Sequence, residues 1–140
     1  MLNNKGQSLV LFVVVLPILL LIVILVIDVG KALVLKQELK SISNIVLDYG
    51  LDNLDNENII DELNKLINLN NDEIDNVSIK IEDDKIYIEL KEKTNGIFSS
   101  IINISIFNIN TSYVGYMKDE NKIIERISGW LIWILLWGKL

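Results

Sequence analysis

An unbroken apolar run near the start of the chain, beginning at Leu9 and ending at Ile27, limits the possible folds more than any other feature. As an α-helix it would be about 28 Å long, close to the hydrocarbon thickness of a bilayer. A helix buried in a soluble domain keeps some polar face, and this run has none. Pro17 lies inside it, where membrane helices tolerate proline and often bend. The sequence therefore predicts a single-pass anchor in the cell membrane, with the lipid bilayer as its first partner.

A cleaved secretory signal is the main alternative for this run. Such a signal has an apolar core of about 7–15 residues and ends at small residues. Here the run is longer and leaves through Asp28, Gly30 and Lys31. We therefore expect a leader at residues 1–8 and a retained transmembrane helix at residues 9–27.

The composition outside the anchor argues against catalysis and against nucleic acid binding. About 110 residues remain, enough for one small domain. The formal net charge is −6, with 19 acidic and 13 basic residues, which disfavours a surface that tracks phosphates. The chain has no cysteine and no histidine, so it lacks thiolate ligands and the commonest general base. We expect a non-enzymatic protein without a metal or another cofactor.

Several acidic groups are candidates for acid–base chemistry or metal binding, and each has a simpler explanation. Asp83 and Asp84 fit a solvated turn between two strands. Asp72, Glu73 and Asp75 resemble part of a calcium loop but lack its glycine and its terminal glutamate. No catalytic residue and no metal ligand is therefore assigned.

The anchor continues into an amphipathic stretch. Residues 31–49 contain neither proline nor glycine, and apolar residues recur there at steps of four and three. This stripe comprises Leu35, Leu39, Ile42, Val46 and Tyr49. The pattern predicts that one helix leaves the membrane and ends at Gly50, since glycine readily closes helices. Packing on the chain's own domain is favoured over a coiled coil with another chain, because only two heptads are present.

A second helix follows an Asp- and Asn-rich connection. Asp55 or Asn56 is the expected cap of this helix. Its one-sided apolar face comprises Ile59, Ile60, Leu63, Leu66 and Ile67.

Alternating apolar residues then predict a β-hairpin. Residues 77–82 and 85–91 alternate with period two, and Asp83-Asp84 is the expected turn. The pairs expected on one face are Ile81 with Ile86, Ile79 with Ile88, and Val77 with Leu90. Residues 96–102 fit either a short helix or a strand, and residues 106–117 predict a third antiparallel strand. Two helices on this small sheet give a predicted α+β domain over residues 28–118.

The C-terminal region ends in an apolar segment, WLIWILLW, at residues 130–137. Together with Ile123, Ile124 and Ile127 upstream, it predicts a C-terminal amphipathic and apolar helix over residues 119–140. Eight residues reach only about 12 Å as a helix, too short to cross a bilayer. Trp130, Trp133 and Trp137 share one helix face, which suits packing on the domain, an interfacial membrane anchor, or contact with a partner.

The N-terminal region resembles the TadE/TadG-like family, the minor pseudopilins of tight-adherence (Flp-type) pilus systems. The resemblance rests on Lys5-Gly6 and Gln7-Ser8 before the anchor and Leu16-Pro17 inside it. It also includes the exit motif Asp28, Gly30 and Lys31, followed by Gln37 on the next helix.

The resemblance implies a function in pilus assembly and a processing step. A prepilin peptidase would cut after Gly6, leaving Gln7 as the mature N-terminus. The family usually carries Glu at the fifth residue after that glycine, and Leu11 stands there in this chain. The expected partners are other pseudopilins or pilus-assembly proteins. The alternative is a single-pass envelope protein whose external domain binds a partner unrelated to pili.

The resemblance also implies a cytoplasmic N-terminus and an external C-terminal domain. Flanking charge alone favours the reverse, because Lys31, Lys36 and Lys40 outnumber Lys5.

Overall fold

The computed structural model describes residues 4–102 and 107–128. Its first element, α1 (Asn4–Asp52), is one helix that passes Pro17 without ending. The prediction that the apolar run continues unbroken into the amphipathic helix is confirmed. The predicted helix end at Gly50 is wrong, because α1 continues to Asp52. Gly50 has no positive φ and lies where a side chain would collide with Ile86, so its small size is what the packing requires.

The remaining elements form one sheet and two further helices. They are α2 (Ile59–Asn70), β1 (Asn76–Glu82), β2 (Lys85–Thr94), α3 (Ile97–Ile102), β3 (Phe107–Lys118) and β4 (Asn121–Arg126). The sheet is antiparallel in the order β1-β2-β3-β4. The α+β class is confirmed, but the sheet has four strands where the sequence predicted three.

β4 occupies part of the segment for which the sequence predicted a C-terminal helix. Its apolar residues Ile123 and Ile124 suit either structure. The preceding turn favours the strand over the helix. Asp119 and Glu120 have φ values of 49° and 62°, as a two-residue hairpin turn with positive φ requires. Glycine or asparagine usually signals such a turn, so this one is hidden in the sequence.

Three predicted features involve residues 129–140, which lie outside the described residues. These are the apolar end of the C-terminal helix, the shared face of Trp130, Trp133 and Trp137, and the contact made by that face. They stay predictions, as does the division of the chain into residues 28–118 and 119–140.

The β1–β2 hairpin has the predicted register. Ile81 pairs with Ile86, and Ile79 pairs with Ile88. The turn residues Asp83 and Asp84 have φ values of 51° and 57°. Aspartate tolerates this left-handed region better than most residues, which explains a tight turn without glycine.

The N-cap of α2 lies later in the chain than the predicted cap at Asp55 or Asn56. Asn58 is the N-cap residue, and its side chain makes no capping hydrogen bond. Asn56 instead accepts a hydrogen bond from the Asn58 amide at 2.9 Å, which closes the preceding turn. Ile59, Leu63 and Ile67 are buried as expected.

The core lies between the sheet and the two longer helices. Its buried members are Leu35, Leu39, Ile42, Val46, Leu47, Leu51, Ile59, Leu63, Ile67, Ile86, Ile88, Leu90 and Tyr113. The α1 stripe therefore packs on the chain's own domain, as predicted. Tyr49 is the exception, since it is exposed and donates a hydrogen bond to Glu62 at 2.9 Å.

α1 runs along the sheet, so the domain has a proximal end near the apolar run and a distal end. At the distal end, the Lys122 ammonium at the start of β4 contacts the carboxylates of Asp48 and Asp52 at 2.8 and 2.7 Å. Hydrogen bonds to these two carboxylates, and then their negative charges, raise the pKa of Lys122. At the proximal end, Thr94 pairs with Phe107, and α3 connects β2 to β3.

Candidate membrane anchor and its junction with the domain

The N-terminal part of α1 has the properties of a membrane span. Among the described residues, one helix is long and apolar enough to cross a bilayer; it covers Gly6–Asp52 and reaches a mean hydropathy of 3.7. Every side chain in residues 6–27 is exposed except Ile24, which is half-buried. A continuous surface of exposed Leu, Ile, Val and Phe is unfavourable in water and suits lipid. This geometry is consistent with single-pass anchoring.

The residues of the expected processing site lie at the start of α1. Gly6 and Gln7 are exposed, and no atom lies within 4 Å of the position that a Gly6 side chain would take. Leu11 follows on the same helix and is also exposed. The residues of the expected processing site are therefore exposed in this structure.

The exit motif behaves differently at each of its residues. Gly30 and Lys31 are exposed, and nothing approaches Gly30 within 4 Å. Asp28 is only 1% exposed, although it directly follows the apolar run. Only Asp28 in this motif is therefore buried against the domain.

Asp28 joins the anchor to α3 through two hydrogen bonds. The Ile97 amide donates to Oδ1 at 2.8 Å, and the Phe98 amide donates to Oδ2 at 2.7 Å. The first amides of a helix have no partner within the helix, and a carboxylate there also complements the positive end of the helix dipole. Asp28 therefore caps a helix about 70 residues further along the chain. We call this contact the Asp28–α3 clasp.

Gly96 makes room for the clasp. A methyl group on Gly96 would overlap the Asp28 carboxylate. Gly96 is buried, and its carbonyl accepts hydrogen bonds from the amide and hydroxyl of Ser100. The absence of a side chain thus lets the carboxylate reach the start of α3.

An open groove lies between α1 and the β3–β4 side of the sheet. Its volume is 580 Å³. Its lining comprises Leu33, Lys36, Gln37, Lys40, Asn44, Tyr113, Ile124 and Arg126. Three cationic side chains and no carboxylate line it, so the groove suits a negatively charged group better than a cation.

A cluster of carboxylates surrounds Asn71 at the edge of the core. The Asn71 side-chain amide donates to Glu38 and to Glu92, both at 3.1 Å. Burial raises the pKa of the Glu92 carboxyl, and the charges of Glu38, Glu73 and Asp75 add to the rise. No group of three or more acidic residues within the described ranges has metal-binding geometry.

The raised pKa predicts a pH-dependent effect of Glu92→Gln. A raised folded-state pKa stabilises the protein below the unfolded-state pKa, and this contribution is lost as pH rises through the folded-state pKa. Near pH 7 the ionised Glu92 therefore weakens the fold, whereas glutamine still accepts the Asn71 hydrogen bond. We expect the variant to melt a few degrees higher near pH 7 and to match the wild type below about pH 4. Thermal unfolding at both pH values measures this.

Glu57→Gln is the matched control for Glu92→Gln, since Glu57 is exposed in the loop before α2. It should leave the melting temperature unchanged at both pH values. A Glu92→Gln protein that melts lower than the wild type near pH 7 would contradict the prediction.

The structure thus unites only part of the predicted site. Asp28 is brought to α3, while Gly6, Gln7, Gly30 and Lys31 stay separate along α1. The sequence placed Asp28 in the exit motif and gave no role to Gly96. An aspartate next to an apolar run and a glycine before a short apolar segment are the available signals, and neither shows that the two meet.

One family model matches the chain. It is described as TadE-like protein, and it matches residues 6–44. The match covers the apolar run, Asp28 and the amphipathic part of α1 as far as Asn44, and it confirms the resemblance to the TadE/TadG-like family. No curated protein and no solved structure matches the chain.

Proposed function

We propose that the chain is a membrane-anchored minor pseudopilin that contributes to assembly of a tight-adherence pilus. The TadE-like match at residues 6–44 carries this proposal, since it suggests a Tad pilus-associated protein. The fold supports it, because a long apolar helix continues without a break into the core of an α+β domain. Such a protein acts through helix and domain contacts and needs no reaction at a catalytic centre.

The proposed partners are other pseudopilins or pilus-assembly proteins and a prepilin peptidase. Leu11 stands where the family usually carries a glutamate, so position 11 offers no carboxylate to pair with a neighbour's new N-terminal amine. Assembly contacts in this proposal come instead from the apolar helix surface and the domain. The proposed topology has a cytoplasmic N-terminus and an external domain.

Processing at Gly6 is the first test. We expect intact-mass and N-terminal analysis of the membrane-fraction protein to give a mature N-terminus at Gln7. Replacing Gly6 with leucine should abolish cleavage, because a peptidase that cuts after glycine would meet a large side chain. Gly30→Leu is the matched control, since Gly30 also lies on α1 with open space around it. An intact Met1 in the wild-type protein would contradict processing.

Loss of pili is the second readout of the same proposal. Deleting the gene should remove surface pili, and the wild-type chain should restore them. A chain lacking the apolar run should fail to do so. Normal pili in the deletion strain would overturn the pilus function and favour an envelope protein with another partner.

A further inference from the structure

We propose that α3 lies in the bilayer interface as a second membrane contact of this protein. The exposed side chains of α3 and the place of this helix beside the anchor carry the inference. It goes beyond the pilus function and rests only on the proposal that residues 9–27 span the membrane.

The position of α3 follows from the clasp. Ile97 and Phe98 bond to Asp28 at 2.8 and 2.7 Å, and Asp28 directly follows the last residue of the apolar run. With residues 9–27 across the hydrocarbon, Asp28 lies at its edge. Each headgroup layer is about 5–7 Å thick, so the first turn of α3 lies within that layer.

Among the α3 side chains that the structure describes, the large apolar Ile97 and Ile101 are exposed, together with the small polar Ser100. Ile97 is 44% exposed and Ile101 is 60% exposed. Residues four apart lie side by side on a helix, so the two isoleucines form one patch. Ile24, one turn before Asp28 on α1, is half-buried, so this side of α1 is partly shielded one turn further into the apolar run than the clasp. An apolar patch at the level of Asp28 can therefore contact lipid.

The charge distribution also favours a bilayer surface. The chain carries a net charge of −6, yet no Asp, Glu, Lys or Arg occurs between Lys93 and Lys118. This uncharged stretch includes α3, so no carboxylate of the β2–β3 connection meets the headgroups. The β2–β3 connection therefore adds no repulsion of its own from anionic lipid, and the nearest acidic segment is the α2–β1 loop, where Asp75 accepts a hydrogen bond from the Lys93 amide at 2.7 Å.

A second contact would orient the domain. One transmembrane helix alone tilts by about 20° on average and rotates about its own axis. α3 in the interface would hold one side of α1 towards the membrane surface. The domain would then present a defined side to a partner.

Single-cysteine labelling of the full chain tests this proposal. The wild-type chain has no cysteine, so Ile101→Cys, Met117→Cys and Ile18→Cys each give one site. Each protein is labelled with an environment-sensitive fluorophore and reconstituted in phosphatidylcholine–phosphatidylglycerol nanodiscs. Nitroxide-labelled lipids with shallow or deep nitroxides act as quenchers. Met117 is the matched control, because it is an exposed apolar residue at the distal end of the domain.

We expect shallow quenchers to quench the label at position 101 several-fold more than the label at position 117. Deep quenchers should act on position 18. Equal quenching at 101 and 117, with position 18 quenched, would overturn the α3 contact and leave the anchor intact. A blue-shifted label at 101 that lipids do not quench would show protein contact and also overturn it. An unquenched label at position 18 would overturn the anchor and this inference together.

Discussion

Asp28→Ala is expected to lower the free energy of unfolding of the domain by about 3 kcal/mol. The substitution removes a buried carboxylate that accepts the amides of Ile97 and Phe98. Hydrogen bonds to charged groups are among the strongest in proteins, and their loss leaves two helix amides without this acceptor. Hydrogen exchange at these two amides should become at least tenfold faster, together with a lower melting temperature in nanodiscs.

Three further variants separate the clasp from the loss of a charge. Asp28→Asn keeps one acceptor oxygen and should give an intermediate loss. Asp72→Ala removes an exposed aspartate elsewhere and should have almost no effect. Gly96→Ala should reproduce much of the Asp28→Ala loss, because its methyl group would displace the carboxylate. Unchanged exchange at the α3 amides in Asp28→Ala would contradict the clasp.

Local patterns predicted the parts of the fold that depend on neighbouring residues. The apolar run, the α1 stripe and the β1–β2 register all follow from periodicity within one or two adjacent segments. In the hairpin, Ile79 and Ile88 pair as their alternation requires. These elements need no knowledge of distant contacts.

The elements that were missed depend on turn chemistry or on distant contacts. β4 follows an Asp119-Glu120 turn, a pair of residues rarely found at positive φ, so a helical interpretation of Ile123 and Ile124 prevailed. Gly50 was interpreted as a helix end because glycine is common there, whereas close packing against Ile86 is what requires it. Neither reason is visible in the local sequence.

The clasp is the clearest case of a contact that sequence patterns cannot predict. Asp28 and Ile97 are separated by 69 residues. Their meeting depends on how α1 lies along the sheet and on where the β2–β3 connection ends. A polar residue beside an apolar run suggests a membrane boundary first, and only the fold shows that the domain buries it.

Leu39→Ala is expected to destabilise the domain by about 3 kcal/mol, since it opens a cavity where α1 packs in the core. Leu39 is fully buried there. Val34→Ala, on the same helix, is the matched control, because Val34 is 68% exposed and should change the stability little. Thermal unfolding of both variants in nanodiscs measures the difference. Equal melting temperatures would mean that the α1 stripe does not hold the domain together. They would favour the alternative in which the stripe binds another chain as a coiled coil.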